Sequence, residues 1–118
     1  MNWKHTAVLT APERAACEHA LTKPIVDGGQ QLSVLYFREP TAGDLMAAAE
    51  EARLTQEAAD LALIARLAGL LPQAAQSLGM PDLKAIKALL KGFFPDAWDA
   101  LDEAKGNALA VQALALKM

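Results

Sequence analysis

Two adjacent glycines set between two apolar runs constrain the folding of this chain more than any other feature. Residues 21–45 read LTKPIVDGGQQLSVLYFREPTAGDL, with the runs 21–26 and 32–37 flanking Asp27-Gly28-Gly29-Gln30. Gly28 and Gly29 take positive φ without a Cβ penalty, as a tight reversal between antiparallel strands requires. Arg38-Glu39-Pro40-Thr41 then closes the second run. Pro40 cannot donate to a ladder and stops the strand, and Thr41 is placed to cap a helix. The block predicts a β-hairpin over residues 21–38 that passes directly into a helix. Leu32, Val34 and Tyr36 alternate with Ser33, Leu35 and Phe37. With apolar groups on both faces, one face is expected under helices and the other partly under a second chain or the C-terminal tail.

Helical patterns fill most of the chain beyond the hairpin. Residues 42–53 form the first, with Thr41 as N-cap, Asp44 complementing the helix dipole, and Leu45, Met46, Ala49 and Ala52 as the apolar side. The second begins at Thr55 and carries Leu61, Ile64, Ala65, Ala68 and Leu71 at helical spacing, widened by Leu67. Gly69 ends it or weakens its last turn, and Pro72 opens a short helix over residues 73–78 that Gly79 stops. Asp82 can cap a further helix over residues 83–92, with Leu83, Ile86 and Leu90 on one face and Lys84, Lys87 and Lys91 on another. After Pro95, an acidic segment over residues 96–103 contains Trp98 and Leu101. Gly106-Asn107 then precedes the apolar stretch 108–118, which reads as a weak helix.

The start of the chain is open to two readings. Thr10-Ala11-Pro12-Glu13 has capping-box spacing, which suits a helix over residues 11–20, while residues 4–9 suit an extended start. The fold class that results is α+β: a hairpin followed by three to five helices. Its parts are an N-terminal extension (1–20), a main unit (21–94) and an acidic then apolar tail (95–118).

Composition narrows the function more by exclusion than by assignment. At 118 residues and 53% hydrophobic, the chain suits one small domain rather than a disordered segment. A net charge of −3 argues against nucleic acid, whose binding depends on neutralising phosphates. Residues 63–70 and 72–78 imitate a helix-turn-helix rhythm, yet no Lys or Arg lies between Leu67 and Leu83 to position a phosphate. The apolar runs are short or broken by charge, so neither a signal segment nor a membrane span is expected. A single cysteine, Cys17, excludes an internal disulfide and fits a reducing cytoplasm.

No catalytic constellation, metal site or cofactor site is expected. His5 and His19 are the only histidines, and Cys17 with His19 falls short of the three or four ligands that zinc takes. Gly28-Gly29 precedes a strand rather than a helix, the wrong context for holding a phosphate. Glu50, Glu51, Glu57 and Asp60 read as solvated helix surface. The candidate partner-binding residues are Met46, the lysines Lys84, Lys87 and Lys91, the aromatics Phe93, Phe94 and Trp98, and the tail leucines Leu109, Leu114 and Leu116, since aromatics anchor interfaces and methionines adapt to varied partners.

In this order the motifs resemble the Mu-like family of phage tail assembly chaperones. The likeness rests on Lys23-Pro24-Ile25, the glycine turn, Arg38-Glu39-Pro40-Thr41 and Asp44-Leu45. It continues through LIARLAGL (63–70), the segment after Pro72, and the helix from Asp82 that ends in Gly92-Phe93-Phe94. It covers residues 21–94; the Trp98-containing tail departs from it. The resemblance implies a non-enzyme, made in the host and not expected in the mature virion. Its implied role is to coat the tape measure protein, keep it soluble and bring tail tube subunits to it. The family often has a longer frameshifted form, a further partner beside possible homo-oligomers. The alternative is a structural tail or head-completion component retained in the particle.

Overall fold

A computed structural model of the chain describes residues 8–52 and 54–117, with side chains through residue 106. Among these residues, two antiparallel strands, β1 (Cys17–Asp27) and β2 (Gln30–Phe37), precede five α-helices. The helices are α1 (Ala42–Glu51), α2 (Gln56–Ala68), α3 (Pro72–Gln76), α4 (Met80–Phe93) and α5 (Pro95–Lys117). The expected α+β class, a hairpin followed by a helical bundle, is what the chain forms. Gly28 and Gly29 take φ of 57° and 85°, the turn predicted from the glycine pair.

β1 starts before the expected hairpin. Of the two readings left open for the start of the chain, a helix over residues 11–20 does not form: the region contains one 3-10 turn, Pro12–Arg14, and then strand. Thr10 does not cap that turn. Its N–H donates to Ala68 O at 3.0 Å and its hydroxyl to Leu67 O at 2.6 Å, satisfying carbonyls at the end of α2. The segment crosses so close to Gly69 that a Cβ there would lie 2.0 Å from Val8 O. Gly69 also has φ 76°, so it serves both the helix end and the crossing. The extended start at residues 4–9 lies largely outside the described residues.

Pairing runs from Cys17↔Phe37 to Ala20↔Val34 and resumes at Ile25↔Leu32. Four residues of β1 thus lie against one of β2, a surplus of three, and Pro24 sits inside this bulge where its missing N–H breaks no ladder bond. An odd surplus changes which residues of β2 face the helices. Leu35 and Phe37 are buried before the bulge, whereas Leu32 packs on the core after it and Ser33 is exposed. Val34 and Tyr36 lie half-buried on the other side.

The core unites Phe37 of β2, Leu63, Ile64 and Leu67 of α2, Ile86 and Leu90 of α4, and Trp98 and Leu101 of α5. Three expectations about helix faces change. On α1 the inward residue is Ala48, and Met46 is 71% exposed. On α2 the face turns so that Leu63 is buried and Leu61 only half-buried. The acidic and apolar halves of the tail are one continuous helix through Gly106-Asn107. A glycine inside a helix costs only about 1 kcal/mol, which neighbouring alanines and leucines offset.

Four aspartates are buried, and each ties elements distant in sequence. Asp27 Oδ1 accepts the N–H of Leu71 at 2.9 Å, holding the hairpin tip to the α2–α3 linker. Asp60, expected on the solvated surface, is 5% exposed and pairs with Lys87 and Lys105, each at 2.9 Å. Burial opposes the charge of Lys105, but the carboxylates of Asp60 and Asp102 hold its ammonium above the usual range. Asp82 does not cap α4, whose N-cap is Gly79. Its carboxylate instead accepts from Thr22 N (2.9 Å), Thr22 Oγ1 (3.0 Å), Lys23 N (3.3 Å) and His19 Nε2 (3.1 Å). A helix side chain thereby satisfies the backbone donors that the bulge frees.

Burial raises the pKa of Asp82, but the bonds from Thr22, His19 and Lys23 outweigh it and hold the group down to about 2. A carboxylate depressed on folding adds stability that is present above the unfolded pKa and is lost as pH falls through the folded one. Melting temperature is therefore expected to stay level from neutrality to about pH 5 and to fall between about pH 4 and 2. Asp82→Asn should be less stable at pH 7 and show a shallower acid limb in thermal melts followed by circular dichroism. Parallel acid limbs in the two proteins would remove Asp82 from this role.

Candidate functional site

The four residues Arg38-Glu39-Pro40-Thr41 and Asp44 after them build a single node. Pro40 ends the strand, Thr41 becomes the N-cap of α1, and Asp44 at N3 completes a reciprocal capping box. Thr41 N and Oγ1 donate to Asp44 Oδ2 at 2.8 and 3.0 Å. Arg38 reaches the same carboxylate with two nitrogens, at 2.6 and 2.8 Å, and Arg66 of α2 adds Nε at 3.0 Å. The Arg38 bonds above all, helped by Thr41 and Arg66, outweigh burial and keep the Asp44 carboxyl well below the usual carboxylate range.

Beside this node opens a groove of about 730 Å³ between α1, α2 and α3. Its floor is made of small and aliphatic side chains: Ala58, Leu61, Ala62 and Ala65 of α2, with Ala47 of α1 and Ala75 of α3. Those α2 positions are three and four residues apart, so they form one stripe along the helix. Leu71 and Pro72 close one wall, while Arg38 and Arg66 stand on the rim and Glu51 and Glu57 also line it. A helix lying on such a floor can approach closely and bury its apolar face.

Among the described residues, none of the partner-binding candidates from the sequence lines this groove. Met46 is exposed on α1, and Lys84, Lys91 and Phe93 are exposed on α4. Lys87 is taken by Asp60. Phe94 is half-buried against the core, its ring centre 6.1 Å from that of Phe93. Trp98 is 2% exposed, so in this fold it is core rather than surface. The side chains of Leu109, Leu114 and Leu116 lie outside the described residues. The groove was hidden in the sequence because its floor is alanine, which a pattern of bulky residues counts as core. The available signal was the breadth of α2, apolar well beyond one face.

His19 and Cys17, too few by themselves to hold a zinc ion, sit half-buried on β1. His19 is engaged with Asp82, and burial pushes the Cys17 thiol up. Among the described residues no group of three or more His, Cys, Asp or Glu is placed to hold a metal ion. None of the described helices is long and apolar enough to cross a membrane.

A family model described as phage tail assembly chaperone proteins, E, or 41 or 14, matches residues 18–95, well over half of the chain. The chain belongs to this tail assembly chaperone family. The match takes in the hairpin, the Arg38–Asp44 node, the groove and α4. It ends at Pro95, before Trp98 and Leu101 of α5, both of which belong to the core. No curated protein and no solved structure matches the chain. Membership makes its partners other proteins of tail assembly, and the family is not an enzyme class.

Proposed function

We propose that the chain binds an apolar helical segment of the tape measure protein in the groove between α1, α2 and α3. It keeps that client soluble and helps recruit tail tube subunits to it. It acts by binding alone, in the cytoplasm of the bacterial host, and leaves before the virion is mature. The open, alanine-floored groove in a member of this family carries the reading. A floor of small residues accepts many apolar helices with weak side-chain specificity, which suits a long client. Exposed Met46 and Met80 and the apolar segment 108–118 offer further contact, to the client, to a frameshifted longer form or to a second copy.

Co-expression with the tape measure protein of the same gene cluster, followed by pull-down and light scattering, tests this. A soluble complex is expected. Ala58→Trp fills the groove without touching the buried core and should weaken that complex by about tenfold, from overpacking against the client. Its circular dichroism should stay unchanged. An insoluble client with free chain, or the chain found in purified particles, would make it a tail part instead.

A further inference from the structure

We infer that the groove is electrically polarised and selects a client helix with a basic side chain at one end of its apolar face and an acidic one at the other. This deepens the proposed client binding and rests on it.

The basic pole is Arg38 and Arg66, which share one carboxylate, Asp44. Two guanidinium groups against one carboxylate leave one positive charge over. Asp44 has little capacity left to accept: Oδ1 takes Arg38 and Arg66, and Oδ2 takes Arg38 and both donors of Thr41. Arg66 spends only Nε on it, and its side chain is 47% exposed. Among the described residues its two terminal nitrogens make no hydrogen bond, so they remain for a fork-shaped contact with an incoming carboxylate.

The acidic pole is Glu51 and Glu57, exposed on the lining. Glu51 is the last residue of α1, where the helix carbonyls add negative potential. Along α2, Glu57 and Arg66 stand about 13 Å apart at 1.5 Å per residue, with Ala58, Leu61, Ala62 and Ala65 between them. That span is about two and a half helical turns, so the two side chains flank the stripe on opposite sides. A matching client carries Lys or Arg and Glu or Asp about two and a half turns apart, on opposite borders of its apolar stripe. A client with like charges at both positions meets repulsion at one pole.

The full chain can be titrated with three alanine- and leucine-rich peptides of about 20 residues, long enough to be helical. They differ only at two positions about two and a half turns apart, one on each border of the apolar stripe: Lys with Glu, Glu with Glu, or Lys with Lys. Fluorescence anisotropy at low salt should show the mixed peptide binding roughly fivefold tighter than either other, the scale of exposed ion pairs. In about 1 M salt, where screening acts within about 3 Å, the three should converge. The double variant Glu51→Lys with Glu57→Lys should then prefer the Glu–Glu peptide. Equal affinities at low salt overturn the polarity while leaving the groove as the client site. No binding of any peptide or of the tape measure protein overturns the chaperone reading itself. Self-association that the double variant abolishes would give the groove to a second copy and overturn the inference.

Discussion

Asp44→Ala is expected to lower the melting temperature by on the order of 10–15 °C, corresponding to about 3–4 kcal/mol in a domain of this size. The residue is 1% exposed and joins β2, α1 and α2 through five hydrogen bonds that it accepts. Removing it takes away the helix cap, about 1 kcal/mol, and leaves two guanidinium groups facing each other without their anion. The loss stays at the lower end for a buried ion pair because Arg38 and Arg66 can both swing toward water. Asp44→Asn keeps one acceptor for Thr41 and should fall between the two proteins. Thermal melts at pH 7 decide it: a midpoint within about 3 °C of the parent would show that the node does not hold the fold together. Any such melt also reports on the groove, since Arg38 and Arg66 form its rim.

A chain ending after Phe94 should fail to reach a packed native state, whereas one ending after Gly106 should keep it. The first cut follows the edge of the family match but discards Trp98 and Leu101, both core side chains, and Lys105, which closes on buried Asp60. Burial of a residue the size of Trp is worth about 3–5 kcal/mol, a large part of what a small domain has in total. Near-ultraviolet circular dichroism is the suitable probe, since it reads fixed packing around Trp98 and the other aromatics. Trp98→Ala in the full chain should show the same loss of packing. Trp98→Phe should be milder, because the indole Nε1 is buried with no partner among the described residues and its removal recovers part of the lost volume's cost. A native, cooperative melt for the chain ending at Phe94 would place α5 outside the folding unit. The chain ending after Gly106 should fold and show lower self-association or weaker client binding.

What was legible in the sequence was local chemistry. The Gly28-Gly29 reversal, the Thr41 cap, the stop at Gly69 and the short helix from Pro72 each depend on residues a few positions apart. Asp82 looked like a cap because aspartate before an apolar run commonly is one. Its true role lies 60 residues away in Thr22, where a bulge in β1 needs an acceptor. Asp60 occupies an ordinary polar position of a helix, and only the arrival of Lys87 from α4 and Lys105 from α5 makes its burial possible. The same limit applies to the site. Lys84, Phe93 and Met46 announced themselves by size and charge, whereas the groove is made by alanines, and a small side chain announces nothing until another helix fails to cover it.

The tip of the hairpin and one wall of the groove are mechanically a single part. Asp27 accepts the N–H of Leu71, Leu71 lines the groove, and a Cβ on Gly28 would already be in contact with the Leu71 side chain. Displacement of the turn therefore moves the wall, as a handle moves a jaw. Whatever grips the turn from outside would act on the shape of the groove, although the two surfaces share no residue but Leu71.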